Sequence, residues 1–244
     1  MGSEQEVRFL PAGDGALVVD FGDRIDRALS TRVLQLSDRV RGLGLAGVGP
    51  TVPTFRSLLV QYDPATISGA DVSAAIRDLM DQPQAAEGAR RLWRVPVSYA
   101  AQFAPDLAEV AERTGLKPDE VIARHAAAQF HVYMVGFLPG FAYMGGLPEE
   151  LHLPRRIDPR VRVPAGAVAI ATALTAIYPV ESPGGWHLIG STPIKLFDAG
   201  WERPSLFAPG DQVRFDPVRI ADYEAIRAAV EAGDYRVPSE DIAA

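Results

Sequence analysis

The sequence predicts two successive folds, a small α+β sandwich over residues 1–88 and a mainly β domain over residues 89–244. Strand-like and helix-like patterns alternate in the first part, which is typical of helices packed on one antiparallel sheet. From Gln129 onward the chain changes to short apolar runs punctuated by Gly and Pro, which favour a barrel or a sandwich. Residues 81–90 are polar and lack periodicity, so we interpret them as the linker between the two folds.

Each N-terminal element follows from a local pattern. Apolar runs at 7–10 and 16–21 flank a Gly-Asp-Gly turn and predict a hairpin. Apolar side chains recur every three or four residues over 24–41 and over 69–80, which predicts two amphipathic helices. The predicted elements are, in order, strands 7–10 and 16–21, helix 24–41 ended by Gly42 and Gly44, strands 51–55 and 58–62, and helix 69–80.

The second domain begins with a strand and two short helices. Each helix has a proline near its first turn, where the missing N–H costs nothing. The strands predicted beyond them are short and closely spaced, and the last periodic stretch is again helical. The predicted elements are strand 92–99, helices 105–114 and 118–128, strands 131–136, 167–171, 176–178, 187–190, 194–197 and 212–215, and helix 219–232.

The composition limits the classes of function. The net charge is -7, which gives no excess of positive charge for nucleic acid or an anionic membrane. The chain has no cysteine, which excludes thiol catalysis and disulfides and fits a reducing compartment. The N-terminus is polar and acidic, unlike a signal peptide, and no apolar run reaches the ~18 residues of a membrane span. We therefore expect a cytoplasmic protein that binds neither nucleic acid nor membrane.

Two common site signatures do not apply to this chain. Residues 42–47 spell GLGLAG, the letters of a dinucleotide-binding fingerprint, but they follow a predicted helix and precede a predicted strand. A pyrophosphate site needs the opposite order, so these glycines are better explained as a helix end. The four histidines do not show the spacing of metal ligands on one helix, and we expect no metal site.

The richest stretch for a binding site is residues 136–148, which hold three aromatics, four glycines and two prolines. This composition excludes a regular helix or a central strand. Glycine lets the backbone approach a ligand and aromatic side chains form rigid walls, although a loop packed by its own aromatics is the alternative. The candidate substrate-binding residues here are Phe137, Pro139, Gly140, Phe141 and Tyr143.

A second stretch, residues 153–162, concentrates positive charge within an acidic protein. Arg155, Arg156, Arg160 and Arg162 fall within eight residues. Arginine can hold a carboxylate or a phosphate through two parallel hydrogen bonds. The alternative is a solvated basic face, or pairing with acidic neighbours. Arg155, Arg156 and Arg160 are candidate catalytic residues.

The third stretch, residues 178–186, combines a tyrosine, a tight Ser-Pro-Gly-Gly turn and a tryptophan at the start of a predicted strand. One of the chain's two lysines, Lys195, lies in the predicted strand beyond it. The candidates are Tyr178 and Lys195 as catalytic residues, and Ser182, Gly184, Gly185 and Trp186 as substrate-binding residues.

Taken in order, these three stretches resemble one family, known as the B subunit of 5-oxoprolinase (PxpB), KipI or allophanate hydrolase subunit 1, a carboxyltransferase-domain subunit. The likeness extends over nearly the whole chain. Each piece alone is a weak signal, whereas the ordered set is highly specific. The matching residues are Gly136-Phe137, Pro139-Gly140-Phe141, Tyr143, Pro154-Arg155-Arg156, Pro159-Arg160, residues 163–166 and 177–179, residues 182–186 and Ile189-Gly190.

The resemblance implies that the second domain is a cyclophilin-like β-barrel. It also implies a non-autonomous subunit of an ATP-dependent amidohydrolase that opens 5-oxoproline to L-glutamate. The implied partners are a companion subunit (PxpC, KipA or allophanate hydrolase subunit 2) and a PxpA-type subunit. On this basis Phe137, Phe141, Tyr143 and Trp186 would wall a cleft, and the candidate arginines would hold anionic groups.

The sequence leaves two other functions open. A KipI-like inhibitor of a sensor histidine kinase would need an exposed apolar face rather than a cationic cleft. A component of a urea- or allophanate-related carboxyltransferase or amidohydrolase would be accompanied by a biotin carrier.

Overall fold

The computed structural model of the chain describes residues 6–82 and 90–242. These residues form two compact units, one within Met1–Gly88 and the other within Ala89–Ala243. The predicted linker, residues 81–90, lies mostly outside the described residues. Among the described residues, no helix has both the length and the apolar character needed to cross a bilayer.

The N-terminal unit is an antiparallel sheet with two helices. Its elements are β1 (Arg8–Pro11), β2 (Ala16–Asp20), α1 (Arg27–Leu43), β3 (Val48–Pro53), β4 (Ser57–Tyr62) and α2 (Gly69–Met80). The strand order is β1-β2-β4-β3. One apolar core joins the strands to both helices, and it includes Val19, Val60, Val33 and Ile76. The predicted α+β arrangement is therefore confirmed.

Helix α1 begins and ends where its flanking residues dictate. The Asp26 carboxylate accepts hydrogen bonds from the N–H groups of Ala28 (2.8 Å) and Leu29 (3.1 Å), which otherwise lack helical partners. The helix ends at Gly44, whose φ of +59° is left-handed and suits glycine. Gly42, predicted to help end the helix, lies inside its last turn because Gly44 alone supplies the left-handed cap.

The C-terminal unit is mainly β. Its elements are β5 (Arg90–Val97), α3 (Leu107–Thr114), α4 (Pro118–Ala127), β6 (Phe130–Val135), β7 (Ala142–Gly145), a 3-10 helix (Glu149–Leu151), β8 (Arg160–Val163), β9 (Ala167–Ala171), β10 (Leu174–Ile177), β11 (Ser182–Gly184), β12 (His187–Ser191), β13 (Gln212–Pro217), α5 (Ile220–Ala232) and β14 (Ser239–Ile242). Eight strands form one sheet in the order β12-β9-β10-β7-β6-β13-β5-β14, and β8 pairs with β11 in a separate ribbon. Within the large sheet β13 and β5 are parallel, and the other pairs are antiparallel.

The large sheet is open over the described residues, because its edge strands β12 and β14 do not pair with each other. A single bridge between Ser98 and Ser191 joins β12 to the residue that follows β5, with N–H···O distances of 2.8 and 2.9 Å. A barrel needs a ladder that continues around the whole ring. The cyclophilin-like β-barrel is therefore not confirmed, and the structure shows a mixed unit with more than one sheet.

The strand prediction is wrong for residues 194–197. This segment is a loop in which only Phe197 forms a bridge, to Ser205. The apolar run resembles a strand, but Leu196 and Ile194 are buried as core residues without a strand partner along their length. Strands β7, β8, β11 and β14 have no matching sequence signal, because their pairing across the sheet rather than local propensity fixes them.

A hydrogen-bonded chain lies in the core beneath α4. The Thr175 hydroxyl donates to the Ala169 carbonyl (3.1 Å), so its oxygen accepts from Nε2–H of His125 (3.0 Å). His125 Nδ1 is then the acceptor for the Tyr99 hydroxyl (2.8 Å). Burial lowers the pKa of His125 to about 3, and the imidazole is neutral in the folded protein.

We expect His125 to make the fold sensitive to acid. Its pKa falls from the ordinary 6.5 to about 3 on folding, so below pH 6.5 the unfolded chain binds the proton first. Stability is therefore lost as the pH drops through this window, by about 1.4 kcal/mol per pH unit. The measurement is the free energy of unfolding by denaturant at pH 7 and at pH 5. Between these two pH values it should fall by about 2 kcal/mol less in His125→Gln than in the wild type. Equal losses in both proteins would contradict this role.

Candidate functional site

Aromatic side chains from two of the three predicted stretches, residues 136–148 and 178–186, meet in one cluster. Phe141, at the end of the loop between β6 and β7, lies at its centre. Its ring is 5.5 Å from Phe137, 4.9 Å from Tyr143, 5.3 Å from Tyr178 and 6.1 Å from Trp186, measured between ring centroids. All four pairs are edge-to-face, the arrangement that aromatic rings favour. The structure thus brings together residues that are up to 49 positions apart in the sequence.

Most side chains of this aromatic cluster are buried in the protein interior and do not form the wall of an open cleft. Phe141, Tyr178 and Trp186 are buried, Tyr143 is half-buried, and Phe137 is 65% exposed. The Phe137 backbone has a φ of +73°, a left-handed conformation that is costly for a bulky residue. Such strain persists where surrounding structure holds it, and it is frequent at functional sites. Phe137 and Tyr143 are therefore the two aromatics that a ligand can reach.

The two glycines Gly140 and Gly184 are required by packing. A Cβ on Gly140 would lie 2.8 Å from Phe197 Cβ and 2.9 Å from the Leu196 carbonyl, and its φ is +82°. A Cβ on Gly184 would collide with the Tyr178 hydroxyl. Glycine at position 140 lets the loop backbone lie against Leu196 and Phe197, and glycine at position 184 leaves room for the Tyr178 ring.

The other small residues of the site differ from these glycines. Gly185 has space for a side chain, with its nearest neighbour 3.6 Å away at Pro159, and its carbonyl accepts from the Arg156 N–H at 2.8 Å. Pro139 is exposed in the loop before Gly140, and Ser182 is buried at the start of β11. The role of Gly185 is therefore to position the arginine segment rather than to avoid a collision.

Two of the three candidate arginines are held by carboxylates. Arg156 Nη1 donates to Glu109 Oε2 (2.9 Å) and to Asp106 Oδ1 (3.3 Å), and Arg160 Nη2 donates to the same Asp106 oxygen (2.5 Å). The Arg156 and Arg160 side chains are 24% and 26% exposed, whereas that of Asp106 is only 4% exposed. The structure therefore shows pairing with acidic neighbours, one of the alternatives that the sequence left open.

Asp106 is the organising residue of this arginine pair. It precedes α3, and its second oxygen, Oδ2, accepts the Leu188 N–H of β12 at 2.7 Å. One buried carboxylate thus ties the arginine segment to both α3 and the sheet. Sequence reasoning missed it, because an aspartate before a helix is ordinarily interpreted as a cap, and here it makes no side-chain cap hydrogen bond.

Four polar side-chain atoms in the C-terminal unit are buried without a hydrogen-bond partner among the described residues, and two of them belong to the arginines that Asp106 holds. They are Arg156 Nε, Arg160 Nη1, Ser182 Oγ and His187 Nδ1. His187 Nε2 lies 2.9 Å from the Pro154 carbonyl, which can only accept, so Nε2 bears a proton. Buried polar groups nearly always have a partner, and unpaired ones are therefore expected where a ligand binds.

Arg155 has a different environment from its two neighbours. It is exposed, and among the described residues it forms no salt bridge. Burial raises the pKa of Tyr143 and of Tyr178, and the positive charge of Arg155 opposes both shifts. The guanidinium therefore lies near both phenols, which stay protonated at neutral pH and can donate hydrogen bonds.

Lys195 is not part of this site. It lies in the loop after β12, half-exposed, and its Nζ donates to Asp198 Oδ2 at 2.6 Å. The structure thus places fewer of the predicted catalytic residues together than the sequence suggested, and within residues 6–82 and 90–242 the hydrogen bond and ion pair of Lys195 go to Asp198 and not to the arginine candidates.

Comparison with known proteins gives consistent matches. Residues 7–207 match the family described as carboxyltransferase domain, subdomain C and D. The chain is 36% identical to the 5-oxoprolinase B subunit of Bacillus subtilis (strain 168), covering 88% of this chain and 94% of that protein. It is also 36% identical to the 5-oxoprolinase B subunit of Escherichia coli O157:H7, covering 87% and 97%. The crystal structure of TTHA0988 is 36% identical with a TM-score of 0.75 over 88% of this chain, which spans 40% of that protein.

The fold and the matched residues together define a carboxyltransferase-domain protein. Within that class, the chain belongs to the family of 5-oxoprolinase B subunits. The family that the three sequence stretches predict is confirmed, and all three stretches lie inside the matched region.

Proposed function

We propose that this chain is a non-autonomous subunit of an ATP-dependent 5-oxoprolinase, which opens 5-oxoproline to L-glutamate. The observation that carries the proposal is the 36% identity to two proteins named as the B subunit of 5-oxoprolinase, each matched over more than nine tenths of its length. We place the protein in the cytoplasm, where ATP is available and a chain without cysteine needs no disulfide.

The chemistry of the candidate site suits this substrate. 5-Oxoproline carries a carboxylate and a five-membered lactam, which is a poor electrophile. ATP supplies the phosphoryl group that activates the lactam oxygen. The free guanidinium of Arg155 is suited to the substrate carboxylate, and the Tyr143 hydroxyl is suited to the charge that develops on oxygen.

Arg156 and Arg160 complete the cationic side of the site, which is suited to anionic groups. Each uses one guanidinium nitrogen for Asp106 and leaves another nitrogen unpartnered. Because Asp106 fixes both side chains, the unpartnered N–H groups are preorganised and need not be ordered when the substrate binds. In this proposal the salt bridges hold the two arginines in position and still leave N–H groups that can donate to the substrate.

The surface beside the site supports a companion subunit. Ile157, Val161, Phe137 and Val180 are exposed, and they lie on the loops and the β8–β11 ribbon that carry the candidate residues. Exposed large apolar side chains grouped in this way mark protein interfaces. In TTHA0988 the same fold is part of a longer chain, of which this chain spans 40%. We propose that the companion carboxyltransferase-domain subunit covers this surface, and that a PxpA-type subunit joins the complex.

Relatives named urea amidolyase or urea carboxylase are more distant. Their identity to this chain is 25% to 27%, and this chain spans only 14% to 22% of their length. The 5-oxoprolinase proposal therefore has stronger support than a function in a urea-related carboxyltransferase or amidohydrolase.

Arg155→Ala should reduce kcat/KM for 5-oxoproline in the reconstituted complex by about 10- to 150-fold. The reason is the loss of one charge-assisted hydrogen bond to the substrate, about 1.5–3 kcal/mol. The matched control is Arg162→Ala in β8, seven residues further along the chain, because Arg162 is exposed and pairs with Glu181 at 2.8 Å. The control should keep near-native activity, and both variants should keep the native melting temperature and co-elute with the partner. Near-native activity of Arg155→Ala would refute its role.

A further inference from the structure

Two hydrogen bonds hold the backbone on either side of Arg155, the exposed residue that the proposed function assigns to the substrate carboxylate. On one side, Nε2–H of His187 donates to the Pro154 carbonyl at 2.9 Å. On the other side, the Arg156 N–H donates to the Gly185 carbonyl at 2.8 Å. Both partners lie where the chain enters β12, so this part of the chain fixes the backbone from which the Arg155 side chain extends.

His187 is a rigid point from which to hold this backbone. It is the first residue of β12, it is fully buried, and it pairs with Ile170 of β9 in the large sheet. By contrast, residues 154–159 belong to no helix or strand. Because the sheet fixes the backbone of His187, a hydrogen bond from its ring gives a defined position to a segment that has no regular structure of its own.

The imidazole of His187 does this through one of its two nitrogens. Nδ1 is buried, has no hydrogen-bond partner among residues 6–82 and 90–242, and lies 4.0 Å from Glu109 Oε1. That distance is too long for a hydrogen bond. The hydrogen bond that fixes the ring is therefore the one to Pro154, and an apolar side chain at position 187 would leave this carbonyl without its donor.

We propose that His187 is a positioning residue, which directs Arg155 toward the substrate carboxylate through the Pro154 carbonyl. The part that concerns the substrate rests on the proposed function, whereas the hold on the segment rests on the geometry alone. His187 itself does not contact the substrate. A contact misplaced by about 1 Å can cost on the order of 100-fold in rate, so the position of the backbone that carries Arg155 affects activity directly.

The hold on the segment is tested without any activity, by NMR hydrogen exchange of the purified chain. In His187→Leu the Arg156 N–H should exchange about 10-fold faster than in the wild type, because the backbone beside it is released. His187→Gln should exchange like the wild type, since the Gln amide places an N–H donor near the position of Nε2. His187→Asn should behave like His187→Leu, because its shorter amide reaches only the position of Nδ1.

The effect on the substrate is tested by kcat/KM for 5-oxoproline in the reconstituted complex. His187→Leu should lower it about 10-fold, and His187→Gln should restore it to within about 3-fold of the wild type. In an Arg155→Ala background His187→Leu should cause no further loss, because a residue that acts through Arg155 then has nothing to position. The matched control is His152→Leu, which should keep near-native activity, because His152 Nε2 makes the same kind of bond to a different carbonyl, that of Leu147 at 2.9 Å.

Three results would overturn the inference. They are wild-type exchange of the Arg156 N–H in His187→Leu, no rescue by His187→Gln, and a loss of activity in His187→Leu that is the same with and without Arg155. If His187→Leu does not fold, His187→Asn takes its place in both measurements. If the wild-type complex opens no 5-oxoproline, the proposed function fails, and hydrogen exchange still decides whether His187 holds the segment.

Discussion

Replacing Asp106 with Ala should lower the free energy of unfolding by about 3 kcal/mol. Removal of one partner from a buried ion pair costs roughly 3–5 kcal/mol, because the remaining charge stays desolvated and unpaired. Asp106 is buried and holds Arg160 and the Leu188 N–H, which both lose their acceptor, and it also holds Arg156, which keeps only Glu109. The value lies at the low end because the two arginines keep about a quarter of their surface in water.

Denaturant unfolding of Asp106→Ala beside Glu181→Ala measures this difference. Glu181→Ala breaks the Arg162–Glu181 pair, in which both side chains are exposed, and an exposed pair contributes about 0–1 kcal/mol. Asp106→Asn keeps the size of the side chain and one acceptor oxygen, and it should lose less stability than Asp106→Ala. If Asp106→Ala loses no more than Glu181→Ala, the arginines do not depend on this carboxylate.

The sequence indicates which aromatic side chains belong to the cluster, whereas their role in a binding site stays a prediction. Phe137, Phe141, Tyr143 and Trp186 are candidates because aromatics among glycines and prolines cannot form regular helix or central strand, and their rings do meet in the structure. Their burial could not be predicted in the same way. It depends on how the loop after β6 packs against Tyr178, a contact between distant parts of the chain.

Local sequence patterns do not predict the ion pairs of the charged part of the site. The arginine stretch is visible in the sequence, but its partner Asp106 lies about fifty residues earlier and has no distinctive neighbours. Only the approach of α3 to β12 brings the carboxylate to the arginines. The segment around Lys195 shows the same limit, because its apolar run predicted a strand and the segment is a loop, while a catalytic role of Lys195 stays a prediction.

Activity in the presence of partners, and none without them, is the largest effect we expect. Phe137, in the aromatic cluster of the candidate site, is exposed to solvent, and so are the apolar side chains of Ile157 and Val161. Opening the activated lactam consumes one water molecule, which must attack the ring carbon and not the phosphoryl group, so the site has to hold that water in place and keep bulk solvent out. Because this chain alone leaves its site uncovered, we expect the companion subunit to close it.

The central measurement is release of glutamate from 5-oxoproline and ATP by purified subunits. The chain alone should give no release above the buffer blank. The chain with its companion carboxyltransferase-domain subunit and a PxpA-type subunit should release glutamate in step with ADP, and the chain should co-elute with the companion on size exclusion. Release by the chain alone would contradict its non-autonomous role, and no release by the complete, assembled mixture would contradict the 5-oxoprolinase assignment.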